Sequence, residues 1–146
     1  MATVESILIN KGHAVYSVKP EATILDALKL MTEKQVGAVM VMEGDTVKGI
    51  FSERDYARRG TLLGNPVTTP VKDVMTSKVY YVSPEQSAET CMAQMSDKRI
   101  RHLPVVKDGK VVGVISIGDV VKTLLQDKDA LIKGLENYML GQEIQL

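Results

Sequence analysis

Gly49-Ile50-Phe51-Ser52-Glu53-Arg54-Asp55 returns later in the chain as Gly113-Val114-Ile115-Ser116-Ile117-Gly118-Asp119. Both stretches follow one plan: glycine, two apolar strand residues, serine, two variable residues, aspartate. The register that superposes them sets Val15 on Val79 and runs without a gap to Arg58. Within it Tyr16/Tyr80, Val18/Val82, Pro20/Pro84, Glu21/Glu85, Met31/Met95, Lys34/Lys98, Val41/Val105 and Val47/Val111 are also identical. Unrelated sequence at ordinary residue frequencies would give roughly two or three identities over that span. The chain is an internal duplication.

Each copy reads as strand, helix, strand, strand, helix. The first strand (Val15 to Val18; Val79 to Val82) stops at a proline, which has no N–H for a ladder. Thr23 or Ser87 can cap a helix whose apolar positions recur at helical spacing: Ile24, Leu25, Leu28 and Met31, or Ala88, Cys91, Met92 and Met95. Two strands follow, joined by Glu43-Gly44-Asp45 or Asp108-Gly109, and Asp-Gly is a hairpin signal because both residues tolerate positive φ. Ala38 to Met42 and Leu103 to Val106 are apolar throughout, which predicts cover on both faces. The last helix of each copy starts near Ser52 or Ser116. Thr3 to Lys11 and Ala130 to Leu146 read as flanking helices, and Val71 to Met75 as a short one leading into copy two. The tail residues Leu131, Leu135, Tyr138 and Met139 form an apolar stripe. The expected division is 1–65 for the first copy with its N-terminal helix, 66–128 for the second, and 129–146 for a helical tail.

The whole chain has 146 residues, 45% hydrophobic and 25% charged, with 18 basic and 18 acidic side chains. Such a composition predicts a globular protein, and one copy alone would offer only a marginal core. A net charge of zero lacks the basic excess expected of nucleic-acid binders. The single cysteine, Cys91, excludes an internal disulfide framework and a multi-cysteine metal site. No apolar signal core precedes Arg54, the first arginine, and no apolar run is long enough to span a bilayer. The expectation is a soluble, cytoplasmic protein. His13 has no second histidine at ligand spacing, so no metal is expected. No nucleophile–base set, Walker loop or Gly-x-Gly-x-x-Gly is present, so no enzyme activity is expected.

The repeated Ser-x-x-Asp supports two readings. In the first it is a helix cap: serine accepts an early helix N–H, and the acid suits the positive helix end. In the second the same N–H groups and hydroxyl meet a phosphate, while the carboxylate accepts the hydroxyls of a ribose.

The doubled order of Tyr-x-Val-x-Pro, the helix, Ile100-Arg101-His102-Leu103-Pro104-Val105-Val106 and the Gly-x-x-Ser-x-x-Asp endings resembles tandem cystathionine-β-synthase (CBS) domains, or Bateman modules. Ser52-Glu53-Arg54-Asp55-Tyr56-Ala57-Arg58 is similar to the stand-alone two-CBS proteins of bacteria and plant organelles. The resemblance implies an α/β (α+β) fold of two pseudo-twofold β-α-β-β-α units with their sheets packed together. It also implies two clefts between them that hold adenosine nucleotides. By the same resemblance Asp55 and Asp119 would bind ribose, and Ser52 and Ser116 phosphate or ribose. Adenine would lie near Val18 and Ala38, or near Val82 and His102, and Arg101 and His102 would meet phosphates.

The copies differ in their cations: Arg54 faces Gly118 in the alignment, whereas Gly37 and Ala38 face Arg101 and His102. Two unequal sites are therefore expected, for AMP and for a longer ligand such as NAD(H) or ATP. The expected function is a non-catalytic adenosine-nucleotide-binding regulatory module. The alternative is a protein-interaction adaptor for an unknown target, with nucleotide binding incidental. A homodimer is expected, with Met92, Met95, Leu124 and Leu125 as candidate contacts.

Overall fold

The computed structural model describes the backbone of residues 2–140, apart from the side chains at 130, 131, 134 and 137–140. It divides into two compact units, Ala14–Tyr81 with Asp108–Val112, and Met1–His13 with Val82–Lys107 and Gly113–Leu146. They are called here the first-copy and second-copy units.

In the first-copy unit a short strand β1 (Ser17–Val18) leads to helix α2 (Ile24–Lys34), α1 (Val4–Lys11) being the N-terminal helix of the other unit. Thr23 caps α2, its hydroxyl accepting the Asp26 N–H at 3.1 Å while Asp26 accepts the Thr23 N–H in return. The helix ends at Gln35, which takes a left-handed φ of 55° so that the Val36 N–H reaches back to the Met31 carbonyl at 3.0 Å. Strand β2 (Ala38–Glu43) then pairs parallel with β1 and antiparallel with β3 (Thr46–Ser52), with a bulge at Val41/Met42. Ile24, Ala27 and Met31 of α2 pack with Val39, Val41 and Phe51 of the sheet, and with Val71 and Val74, into one buried cluster.

The second-copy unit repeats this plan with two departures. Ser87 caps α4 (Ala88–Lys98), and Arg99 ends it at a φ of 54°, matching Gln35. Strands β4 (His102–Lys107) and β5 (Lys110–Ser116) form a hairpin whose turn and first β5 residues, Asp108–Val112, are counted with the first-copy unit; Asp108 and Gly109 have φ of 52° and 76°, the expected positive pair. The first departure is the expected strand Val79 to Val82, which is reduced to a single bridge from Val82 to Val105. The second is α5 (Ile117–Leu140), one continuous helix where a final helix and a separate tail were expected. Copy one instead ends in a three-residue turn, α3 (Glu53–Asp55), followed by a π-helical stretch from Tyr56 to Thr61. Of the tail stripe, Leu135 is exposed, while the side chains of Leu131, Tyr138 and Met139 lie outside the described residues. Met95 is buried one helical turn from the buried Cys91, so it belongs to the core and not to a dimer contact. Burial pushes the Cys91 thiol pKa up, which fits an inert core cysteine.

The units cut across the sequence copies. Helix α1 (Val4–Lys11) precedes copy one but packs with copy two: Val4 and Glu5 N–H groups donate to the Gln86 and Pro84 carbonyls at 2.8 and 2.9 Å. The segment that precedes copy two stays with copy one. There the Val71 N–H donates to the Ala22 carbonyl at 2.7 Å, and Ile24 N–H to Thr69 at 2.9 Å. Each copy thus accepts, at the start of its first helix, the segment that leads into the other. The two repeat glycines admit these segments. A Cβ on Gly49 would lie 2.7 Å from the Thr76 carbonyl oxygen, and one on Gly113 would lie 2.7 Å from a Leu8 methyl.

Candidate functional site

The β2–β3 hairpin sets Ala38 directly opposite Ser52, and the Glu53 N–H donates to the Gly37 carbonyl at 3.1 Å. Val18 pairs with Val41, three residues along β2, roughly 10 Å from that end. In the second-copy unit the Ile117 N–H donates to the Arg101 carbonyl at 2.8 Å, the counterpart of the Glu53–Gly37 bond. Arg101 and His102 are thereby held at the start of α5, beside Ser116. Val82 is fully buried; its N–H donates to Pro104 and its carbonyl accepts from Val106. Arg54 and His102 are half-buried and Arg101 is exposed. The structure therefore gathers Ala38, Ser52 and Asp55 in one unit, and Arg101, His102, Ser116 and Asp119 in the other.

Both serines close capping boxes. The Asp55 N–H donates to Ser52 Oγ at 3.3 Å and the Ser52 N–H to Asp55 Oδ2 at 3.0 Å. Asp119 and Ser116 repeat this at 3.2 and 2.8 Å. Beyond the caps the two carboxylates differ. Asp55 is 9% exposed, and its Oδ2 also accepts the Ser52 hydroxyl at 3.1 Å. Its Oδ1 accepts the Thr76 hydroxyl at 2.9 Å and faces the Arg59 guanidinium at 3.8 Å. Arg59 is fixed in turn by the Met75 carbonyl at 2.7 Å. Asp119 has no such cage. Its Oδ2 takes the Lys11 ammonium at 2.6 Å, and Lys11 also donates to the Val114 carbonyl at 2.7 Å.

Partial burial raises the Asp119 pKa, but the Lys11 hydrogen bond, the Ser116 N–H and the Lys11 charge outweigh it and hold the carboxyl below its ordinary value. The stabilisation from this tie is complete above the ordinary aspartate range near 3.9 and is lost as pH falls through the lower folded value. Lys11→Met is expected to lose stability near neutral pH and to lose less than the wild type on acidification below about pH 4. Urea midpoints between pH 6 and pH 3 measure this, and parallel acid limbs in the two proteins would contradict it.

Sequence reasoning passed over Lys11, Thr76 and Arg59. None carries a repeat signal: Lys11 aligns with Met75, Thr76 with Gly12 and Arg59 with Thr123. A concavity of about 290 Å³ on the first-copy unit includes Gly37 and Glu53 but neither Ser52 nor Asp55. Among the described residues no group of three His, Cys, Asp or Glu side chains could hold a metal ion, and no helix is long and apolar enough to cross a membrane.

The residues fit a nucleoside phosphate in part. A serine hydroxyl and helix-start N–H groups suit a phosphate, and Asp119 offers an acceptor to a sugar. Asp55 already receives three donors besides Arg59, so a ribose would have to replace one of them. The CBS domain family matches the chain twice, over residues 4–60 and 71–126. The mitochondrial CBS domain-containing protein CBSX3 of Arabidopsis thaliana is 35% identical over 149 residues, covering 95% of this chain and 72% of that protein. A solved protein with CBS domains from Burkholderia ambifaria MC40-6 is 46% identical, with a TM-score of 0.83 over 86% of this chain and 96% of that one. A CBS domain protein from Pyrobaculum aerophilum, solved in complex with AMP, shares the fold at 24% identity and a TM-score of 0.72, covering 80% and 88% of the two chains. The duplicated β-α-β-β-α plan, its paired Ser-x-x-Asp turns and these matches place the chain in the CBS-domain family, as a tandem CBS pair.

Proposed function

We propose that this CBS pair is a non-catalytic regulatory module that binds adenosine nucleotides, AMP first and NAD(H) or ATP as longer ligands. Two unequal sites would be built on Ser52 and Asp55 with Arg54, Val18 and Ala38, and on Ser116 and Asp119 with Arg101, His102 and Val82. The observation that carries the reading is the second turn: a serine hydroxyl and an accepting carboxylate at the start of a long helix, with Arg101 tied to the same helix start. The AMP held by the Pyrobaculum protein supports adenosine monophosphate as the ligand class. An exposed apolar stripe along α5, at Val121, Leu125, Ile132 and Leu135, favours a second role in protein contact. The assembly we read from it is a homodimer, with an unidentified target protein as the alternative partner.

Thermal melts with AMP, ADP, ATP and NADH test the reading. A ligand that binds only the folded state adds about 2.7 kcal/mol at one hundred times its Kd, so millimolar AMP is expected to raise the melting temperature. Asp119→Ala is expected to remove most of that rise. No shift with any of these nucleotides, alongside capture of a protein partner by the same chain, would replace the nucleotide reading with the adaptor one.

A further inference from the structure

The Lys11 side chain comes from a helix outside both repeat copies and ends on the carboxylate of the second Ser-x-x-Asp turn. An ammonium has three donors and no acceptor. Two are engaged, by Asp119 Oδ2 at 2.6 Å and the Val114 carbonyl at 2.7 Å, so one remains. On the carboxylate, Lys11 and the Ser116 N–H converge on Oδ2 and the Ser116 hydroxyl adds a further donor, which leaves acceptor capacity on a group with about four lone-pair positions. A donor and an acceptor thus stand side by side on a 2.6 Å ion pair. That is the complement of a vicinal diol, in which one hydroxyl donates and a hydroxyl oxygen accepts. We propose that Lys11 is a sugar-reading residue of the second site, and that Lys11 and Asp119 together select a ribonucleotide over its 2′-deoxy counterpart.

The inference rests on the nucleotide reading above, which already gives Asp119 the ribose, and adds Lys11 as a second residue that reads it. The placement of Lys11 is built, because α1 is anchored along its length. Val4 and Glu5 are bonded to the backbone of 84–86, Leu8 is fully buried against Gly113, and Lys11 closes the last turn. Among the described residues no ammonium is bonded to Asp55, whose partners are two hydroxyls, a backbone N–H and Arg59. The lysine-assisted reading of the sugar therefore belongs to the Asp119 site.

Calorimetric titration of wild type and Lys11→Met with AMP and with 2′-deoxy-AMP tests this. One charge-assisted hydrogen bond corresponds to about tenfold in affinity. Lys11→Met is expected to weaken AMP about tenfold and 2′-deoxy-AMP much less, so that the ratio between them falls. A second measurement needs no variant: acylation of Lys11 in the wild type, mapped by mass spectrometry, is expected to slow in AMP more than in 2′-deoxy-AMP. Equal losses for the two nucleotides, a gain in AMP affinity in Lys11→Met, or faster acylation of Lys11 with AMP present would overturn the role of Lys11 while leaving nucleotide binding intact. A wild type that binds neither nucleotide overturns both readings.

Discussion

Gly49→Ala is expected to destabilise the protein by about 2–3 kcal/mol, and Gly113→Ala by about 1 kcal/mol or less. The two glycines are equivalent in the repeat, and both admit a lead-in segment against the strand before the Ser-x-x-Asp turn. What each new methyl would meet is different. At Gly49 it would lie 2.6 Å from Met75 Sδ and 2.7 Å from the Thr76 carbonyl oxygen. The sulfur can move, but the carbonyl cannot: it accepts the Ile50 N–H at 2.9 Å while the Thr76 N–H returns to Ile50 at 2.8 Å. Relief would require breaking that bridge, and Thr76 would then withdraw its hydroxyl from Asp55. At Gly113 the obstacle is the far end of Leu8, at 2.7 and 3.0 Å from its two methyls. A rotamer change or a small shift of α1 relieves it, and alanine also lowers the entropy of the unfolded chain, which offsets part of the cost. Urea denaturation of the single variants measures the difference. Leu8→Val combined with Gly113→Ala is expected to cost less than the sum of the two, since the shorter side chain makes room for the new methyl and the methyl fills part of the space it leaves. Equal costs at the two glycines would show that the lead-in segments are not what these positions accommodate.

The same contrast shows how far the amino-acid order can be read. Strand and helix positions follow from local patterns that each copy carries for itself. Asp108-Gly109 turns because both residues tolerate positive φ, and Thr23 and Ser87 cap because their hydroxyls reach the N–H three residues on. The exchange of lead-in segments has no such local mark. Periodicity says that Val4, Ile7 and Leu8 need cover, and they are buried, but it does not say which copy supplies that cover. Gly49 and Gly113 were legible as a repeated glycine, while the need for close approach appears only once the neighbour is in place. The short end of copy one was also hidden: Tyr56 to Thr61 widens into a π-helical stretch, whereas Ile117 opens a helix that runs to Leu140. At the site, both aspartates were legible from the duplication. Their partners were not, because Lys11, Thr76 and Arg59 arrive from positions where the copies no longer resemble each other.

That difference in partners governs the second large effect. Asp55→Ala is expected to lower stability by about 3 kcal/mol, whereas Asp119→Ala is expected to cost less than about 1 kcal/mol. Removing the nearly buried Asp55 carboxylate strands the Ser52 N–H, the hydroxyls of Ser52 and Thr76, and the positive charge of Arg59. Buried donors left without an acceptor each carry a desolvation cost of about 1–3 kcal/mol, reduced where the group can turn to water. Asp119 is more open, its partner Lys11 reaches solvent when released, and Lys11 keeps the Val114 carbonyl. Loss of ligand response in Asp55→Ala would therefore mix a damaged fold with a missing sugar acceptor. Asp55→Asn separates them. An amide oriented with its oxygen toward Ser52 still accepts there, and its NH2 can donate to Thr76, whose hydroxyl can reverse its role. Asp55→Asn is expected to stay within about 1 kcal/mol of wild type while weakening the attraction for Arg59 and for a sugar hydroxyl. Chemical denaturation of all three variants, each repeated in saturating AMP, distinguishes the contributions. If Asp55→Ala proves as stable as Asp119→Ala, the network around Thr76 and Arg59 does not support the turn, and Asp55 would have to be assigned to the ligand alone.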